Sequence, residues 1–410
     1  MSDSFGAEES QRAVRLEEFQ GLYGPFQVAE RLVQKIWLRG EFDTSRLVTL
    51  SGKQVRIIRI GEWNRLGGPD FLSAEFEIDG RKIAGDVEIH FHEVDWKVHR
   101  HHLDPAYNDV VLHVVLFPPR IGRAPIQTHR GLMVETVVLI DLLWHDLEEY
   151  AFNDAAASAS GMATDRALEW LLSLSMCKRR ECLFKFARRR WDQKVQFAGI
   201  RIDRLGFEGA CHSTSLEVLG YSRNRAAMLA VADRFPIAVW SNLDPAEVLD
   251  RPDIHWQRQG VRPANQPRHR LAQYSRLARD GRAWIDRLRR WSEGLDLSDG
   301  RGTSISVGDV RKRLFLSRLR RELLTEVLQE AVQGPRADTL AVDAFLPILA
   351  SRDGSPYFEA WFSWVPGDIP AGHREVLKRA GIGGGGTGAP HAHGWFQGLL
   401  GLMINLRTDG

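Results

Sequence analysis

An α/β (α+β) N-terminal domain with a short, mostly antiparallel mixed sheet, followed by a mainly α-helical domain, is the architecture the sequence predicts. Three observations point to it. Between residues 47 and 117, short apolar runs alternate with turn signals, among them Asp79-Gly80, the strongest two-residue hairpin pair. The run NDVVLHVVLF (108–117) is apolar on both faces, as a central strand covered by helices is. Beyond residue 165 the apolar spacing turns helical.

Taken in order, polar residues 1–10 predict a disordered tail, ahead of a mixed domain over 11–150. PFQVAERLVQKIWLRG (25–40) reads as a helix, with Pro25 in its first turn and Gly40 as its stop. LVTL and VRIIRI flank SGKQ as a hairpin, and FLSAEFEI and RKIAGDVEIHF flank Asp79-Gly80 as a second one. ETVVLIDLLW (135–144) either closes the sheet or opens a helix. Residues 151–165, rich in small and polar side chains, read as a linker. A helical domain follows over 166–380, its first helix capped by Thr164-Asp165 and continuing through KRRECLFKFARRR, with further helices over 223–235, 268–290 and 308–332. Residues 381–410, opening on GIGGGGTGAP, read as a flexible segment and tail.

The composition is that of a globular chain with room for two or three cores. No apolar run approaches the roughly 18 residues of a membrane helix. The acidic, polar N-terminus has neither the charge nor the apolar run of a secretory signal. Cys177, Cys182 and Cys211 form an odd set without a CxxC pair, which suits a reducing cytoplasm. Residues 1–150 hold 17 Lys and Arg against 24 Asp and Glu, whereas the remainder is net basic. An acidic part joined to a basic part is compatible with a metal site beside a polyanion-binding surface.

The chemistry concentrates in GDVEIHFHEVDWKVHRHH (85–102), which contains five histidines and four carboxylates. On a strand, Val87, Ile89 and Phe91 share one face, and Asp86, Glu88, His90 and His92 share the other. Two carboxylates and two imidazoles in register form a metal-ligand row, or alternatively a charged solvated face.

Upstream lies GEWNRLGGPDF (61–71). Pro69-Asp70 at a strand start, followed by Glu88-Ile89-His90 on the next strand, resembles the PD-(D/E)XK nuclease superfamily. The resemblance implies a nuclease-like sheet in which Asp70 and Glu88 hold a divalent cation against a scissile phosphate, helped by Asp86 and the Ile89 carbonyl. The cation, Mg²⁺ or Mn²⁺, neutralises charge and acidifies the attacking water. His90 stands where that superfamily usually has lysine, a departure shared with the very short patch repair endonucleases. Register poses a problem. A two-residue turn at Asp79-Gly80 sets residue 70 opposite residue 89, so strict alternation turns Asp70 to the apolar face. A bulge at Gly68-Pro69 would restore it; otherwise Asp86 is the substitute acid.

Longer strings carry a closer resemblance. WNRLGGPDF, GDVEIHFHEVDWKVHRHHLDPAYNDVVLHVV, LGYSRNRAAMLAVADRFP (219–236) and VRPANQPRHR (261–270) together resemble a bacterial family known as domain of unknown function 2851. That family supplies no activity, so chemistry has to be argued from residues. His99 and His102 are expected to reach substrate or to sit on a polar turn, His101 either to line the same cleft as His90 or, the favoured reading, to lie at the surface, and His113 to be a hydrogen-bonded core histidine; Trp96 and Tyr107 are natural anchors for this loop or a short helix. Arg262, Asn265 and Arg268 form either a substrate contact or a structural clamp. The basic runs 178–190 and 310–323 are phosphate-tracking surfaces or ordinary solvated helix faces. The function expected is a metal-dependent phosphodiesterase or nuclease acting through Asp70, Glu88 and His90, with nucleic acid as partner. The alternatives are a non-catalytic nucleic-acid-binding module and a zinc hydrolase using His90, His92 and an acid.

Overall fold

Two compact units divide the chain, Met1–Phe152 and Asn153–Gly410. The computed structural model describes residues 16–21, 24–119, 125–158, 162–221, 223–295, 306–354, 357–367, 369–383 and 391–408. The expected tail over 1–10 lies outside them.

In the first unit, β1 (Leu16–Gly21) and β2 (Gly24–Ala29) form an antiparallel ribbon. The helix expected from residue 25 therefore starts later, as α1 (Glu30–Arg39). Pro25 sits opposite Gln20 in the ribbon, where each strand is an edge and a missing N–H is tolerated. Gly40, at φ 60°, ends α1 as expected. The helix buries Leu32, Val33, Ile36 and Trp37, and Trp37 stacks on Phe42 with ring centroids 5.5 Å apart.

That apolar stripe covers one face of a six-stranded sheet. Its strands are β3 (Val55–Arg59), β4 (Glu62–Trp63), β5 (Phe71–Ile78), β6 (Arg81–His90), β7 (Val110–Val115) and β8 (Glu135–Val138). The order is β3-β5-β6-β7-β8, with β4 also on β5. The pairs among β3, β4, β5 and β6 are antiparallel, whereas β6–β7 and β7–β8 are parallel. Asp79 and Gly80 both take positive φ, 46° and 76°, the backbone of the tight hairpin their sequence predicts. A parallel partner cannot follow a tight turn. Residues 91–109 accordingly form a crossover containing α2 (Asp95–Val98) and two 3₁₀ turns.

Alternation sorts the sheet by chemistry. Phe71, Ala74, Phe76, Val87, Ile89, Leu112 and Val114 join the core beneath α1. Glu88, His90 and His113 are buried but lie outside that core, and Trp96, Tyr107, Val110, Ile126 and Val134 form a separate small cluster.

One bulge decides where Asp70 goes. Pairs run regularly from Ile78–Arg81 to Ala74–Gly85, but the next is Phe71–Val87, so Leu72 and Ser73 together oppose Asp86. Ser73 adopts φ 56°, and its amide donates to Asp86 Oδ1 at 2.9 Å. The register correction thus falls at Leu72-Ser73 rather than at Gly68-Pro69. Phe71 and Ala74 both face the core, and Asp70 is turned towards Glu88. Gly85 permits the neighbouring strands to close here. A Cβ at this position would stand 2.5 Å from the Asp109 carbonyl oxygen and from Val111 Cγ1.

The second unit is helical and has its own core. The expected linker is largely helix on either side of residues 159–161, which lie outside the described residues: α3 (Leu147–Ser158) runs into it, and a helix over Met162–Leu172 begins within it. The helix expected to run unbroken to residue 190 is interrupted at Ser175, whose backbone is extended, and a long helix then spans Met176–Gly220 with a break at Gly206. Of the Gly-rich stretch, residues 384–390 lie outside the described residues. The tail beyond it is a core element rather than a loose end. Helix His393–Thr408 buries Leu399, Leu402 and Met403, and Gly398 lies so close to the long helix that a Cβ would stand 2.2 Å from the Leu183 carbonyl oxygen. Gly394 and Gly401 of the same helix likewise leave room for Phe362 and Phe186.

Many cations of the basic runs are engaged within this unit. Arg179 donates to the carbonyls of Leu174, Leu172 and Ala380, Arg190 to Gln397, and Arg311 to the carbonyls of Ser363 and His391. Arg313 pairs with Glu359, and Arg320 pairs in bidentate fashion with Asp338. Among the described residues no helix is long and apolar enough to cross a membrane.

Candidate metal centre

The Asn64–Asp70 loop delivers the first acid. Asn64 braces it by donating from Nδ2 to the carbonyls of Gly67 and Pro69 at 3.0 and 2.9 Å, and by accepting from the Leu66 amide. Asp70, 1% exposed, is clasped to β6 in both directions. Its amide donates to Glu88 Oε2 at 3.0 Å, and its Oδ2 accepts from the Ile89 amide at 3.0 Å. Its Oδ1 accepts from Gln34 Nε2 at 2.8 Å, and Gln34 Oε1 accepts from the Trp63 indole at 3.3 Å. Each carboxylate oxygen has two lone-pair directions, so these bonds orient Asp70 without exhausting it.

Glu88 has no exposed surface, and its other oxygen faces imidazoles. Oε1 lies 3.4 Å from His90 Nε2 and 3.3 Å from His101 Nε2. His90 is the hub. Its Nδ1 shares a 2.8 Å hydrogen bond with His113 Nε2, and its Nε2 lies 3.0 Å from His99 Nδ1. One nitrogen from each of His90, His99 and His101 falls within 4.8 Å of the others. Burial holds His113 well below the usual imidazole range, at about 3, and the neighbouring His101 pushes in the same direction. His113 is therefore neutral, fit to fix the orientation of His90 by hydrogen bonding.

The crossover brings the second histidine block back over the polar face of β6. Trp96, fully buried, anchors it by donating to the Gln127 carbonyl at 3.1 Å and by edge contact with His101. His101 stacks on Tyr107 at 3.8 Å between centroids. At 5% exposure it is a core histidine, contrary to its reading as a surface residue. The aromatics that cover the ring are Trp96 and Tyr107, the residues expected to anchor this loop. His113 is the hydrogen-bonded core histidine expected.

The remaining predicted site residues divide. His99 joins the cluster and is its exposed member. His102 is half-buried in the turn, and His92 has left the strand row to stack on Phe117. Asp86 lies at the bulge, with one oxygen taken by the Ser73 amide; burial raises its pKa, against the pull of that hydrogen bond, and Asp109 raises it further. In the second unit Asn265 accepts from the buried Arg270 at 2.6 Å, while Arg262 and Arg268 are exposed. Sequence reasoning missed Gln34, and placed His101 beside His90 only as the less favoured of two readings. Gln34 carried no signal, since a glutamine on an amphipathic helix is ordinary.

A mixed-sheet unit with a buried histidine–carboxylate cluster, followed by a helical unit, defines the class of protein to which this chain belongs. The chain belongs to the family described as "Protein of unknown function (DUF2851)", whose profile matches residues 30–249 and so spans the whole six-stranded sheet and the start of the helical unit. No curated protein and no solved structure matches it. The comparisons do not link the chain to the PD-(D/E)XK nucleases.

Proposed function

We propose that Glu88, His90, His99 and His101 hold one divalent transition-metal ion, and that with Asp70 beside it this site hydrolyses phosphodiesters. The observation carrying the reading is the convergence of three imidazole nitrogens within 4.8 Å, with a Glu88 oxygen 3.3–3.4 Å from two of them. A set dominated by imidazole suits Zn²⁺ better than Mg²⁺, with Mn²⁺ as the harder alternative. Such an ion supplies charge neutralisation and an acidified water. The chain's own residues do the rest. His113 fixes the His90 ring through Nδ1. Gln34 and the Ile89 amide hold the Asp70 carboxylate at the edge of the cluster, where it is placed to accept a proton. Exposed His99 marks the side open to substrate. What speaks for a nuclease-like reading is that the Asp70 amide donates to Glu88 and the Asp70 carboxylate accepts from the Ile89 amide, so the two residues the resemblance implies are neighbours. Asp86 is left out of the ligand set because it holds the bulge.

Untagged protein analysed for metals should carry zinc near one per chain after gel filtration. Glu88→Gln and His99→Ala should lose it while staying folded by circular dichroism. Metal-loaded wild type should cleave bis(p-nitrophenyl) phosphate, and Glu88→Gln should not. A folded protein that takes up neither Zn²⁺ nor Mn²⁺ at micromolar concentration refutes the proposal. The near-complete burial of Glu88 and His90 supports a second reading, a metal-stiffened binding module without turnover. Metal retention without hydrolysis in any divalent ion would select it.

A further inference from the structure

The crossover over β6 is packed at its ends and not along its tip. Trp96 and Tyr107 anchor the ends in the small cluster they form with Val110, Ile126 and Val134. Of residues 97–106 between them, eight are exposed, His102 is half-buried and His101 alone is buried. Val98 and Leu103, the large apolar residues of this stretch, point to solvent. Its amides close local turns, as Leu103 does to Arg100 and Asp104 to His101, and not a ladder with the sheet. The ring of His101 rests on Tyr107 and Trp96, which belong to the crossover itself. What the tip presents to β6 is imidazole. His99 Nδ1 lies 3.0 Å from His90 Nε2, and His101 Nε2 lies 3.3 Å from Glu88 Oε1. Arg100, between those two histidines, takes φ 60°, a left-handed backbone that L side chains rarely adopt.

A tip that buries no aliphatic side chain needs another reason to lie on the sheet. Beneath it Glu88 is fully buried, and a carboxylate taken out of water is costly without a cation beside it. We propose that residues 97–106 are a flap latched by the metal: an ion shared by Glu88 and His90 of β6 and by His99 and His101 of the tip holds it shut, and release of the ion opens it. This rests on the metal centre of the proposed function and gives that centre its regulation. The ion replaces the apolar core that the tip lacks, because its ligands come from both sides of the contact. Without the ion, turning the tip aside returns Glu88 to water and frees Arg100 from its left-handed backbone. Access and occupancy are thereby linked. The closed flap covers Glu88 and His90 and leaves His99 towards solvent, and the open one is the route by which the ion enters.

Amide hydrogen exchange, read by mass spectrometry on the full chain with and without Zn²⁺, tests the latch. In the metal-free chain the amides of 98–104 should exchange far faster than those of β7 (Val110–Val115), which the sheet protects. With free Zn²⁺ at about a hundred times its dissociation constant, an opening that requires release of the ion is suppressed about a hundredfold, and exchange over 98–104 should slow by up to that factor. His101→Gln should leave the tip exchanging fast in zinc while β7 stays protected, which shows in the same measurement that the variant is folded. Val98→Gln/Leu103→Gln should behave as wild type, because neither side chain helps to close the flap. Tip rates that zinc leaves unchanged in a chain shown to hold the ion overturn the latch and leave the proposed function standing. Loss of protection over the tip and β7 together in the metal-free chain also overturns it, since the ion would then hold the whole unit. Failure to take up zinc at all refutes the proposed function, and the latch with it.

Discussion

Asp86 offers the sharpest test of how the site is built, because strand alternation alone counts it among the metal ligands. The structure instead gives it the Ser73 amide, at 2.9 Å, opposite the extra residue of β5. Asp86→Ala removes that acceptor and leaves an amide at φ 56° without its partner. A hydrogen bond to a charged group contributes about 1.5–3 kcal/mol, and half-burial places this one near the lower end. Asp86→Asn keeps an oxygen for the amide and discards a charge that burial already disfavours, so it should cost less than about 1 kcal/mol. The two variants should therefore separate. In competition with a chromophoric zinc chelator, Asp86→Asn should bind metal within about tenfold of wild type. Asp86→Ala should weaken binding by the 10–100-fold typical of outer-shell partners, as the bulge relaxes and Asp70 loses its place. Glu88→Gln should exceed both. Urea midpoints measured alongside would show Asp86→Ala as the less stable of the two Asp86 variants. If Asp86→Asn, still folded, loses metal as thoroughly as Glu88→Gln, then Asp86 is a ligand and the bulge argument fails.

Two further outcomes follow from the helical unit. Burial holds His393 at about 3 and His212 at about 4, below the ordinary value of 6.5, so the unfolded chain takes up protons first. Stability should fall as pH drops below 6.5, by about 2 kcal/mol per histidine between pH 6.5 and 5, and level off below the folded values. Urea midpoints at pH 7 and 5 check this, and His393→Phe should remove roughly its own share of the pH dependence. Midpoints that do not move with pH would refute it. Gly398→Ala should destabilise by about 1–3 kcal/mol, since its Cβ would meet the Leu183 carbonyl at 2.2 Å and no rotamer change relieves a backbone clash. A thermal melt within a degree of wild type would show that the C-terminal helix is not seated as described.

Local signals carried much of the fold. Asp79-Gly80 marked its hairpin, Gly40 its helix end, and the apolar run at 108–117 its central strand, because each depends on a few adjacent residues. The β2 strand was hidden because Pro25 ahead of an apolar run fits a helix start as well as an edge strand. The candidate centre was half legible. Glu88 and His90 stand out in a strand pattern, but His101 joins them only through a crossover that Trp96 and Tyr107 hold down, and Trp96 is itself fixed by a bond far along the chain, to the Gln127 carbonyl. The basic runs misled for a related reason. An arginine bonded to a carbonyl far along the chain looks, in sequence, like one facing water.

The extra residue of β5 also has an arithmetic consequence. Across a two-residue turn, opposed positions differ by an odd number, as do 78 and 81 or 74 and 85. Asp70 and Glu88 are 18 apart, an even number, and still touch. Were Leu72 and Ser73 to pair regularly instead of sharing Asp86, everything from Ala74 onward would stay in place, yet Phe71 and Asp70 would exchange sides, sending the ring outward and the acid into the oil. Parity between the two acids is thus a countable signature by which a related chain can be checked for this arrangement before any coordinates exist.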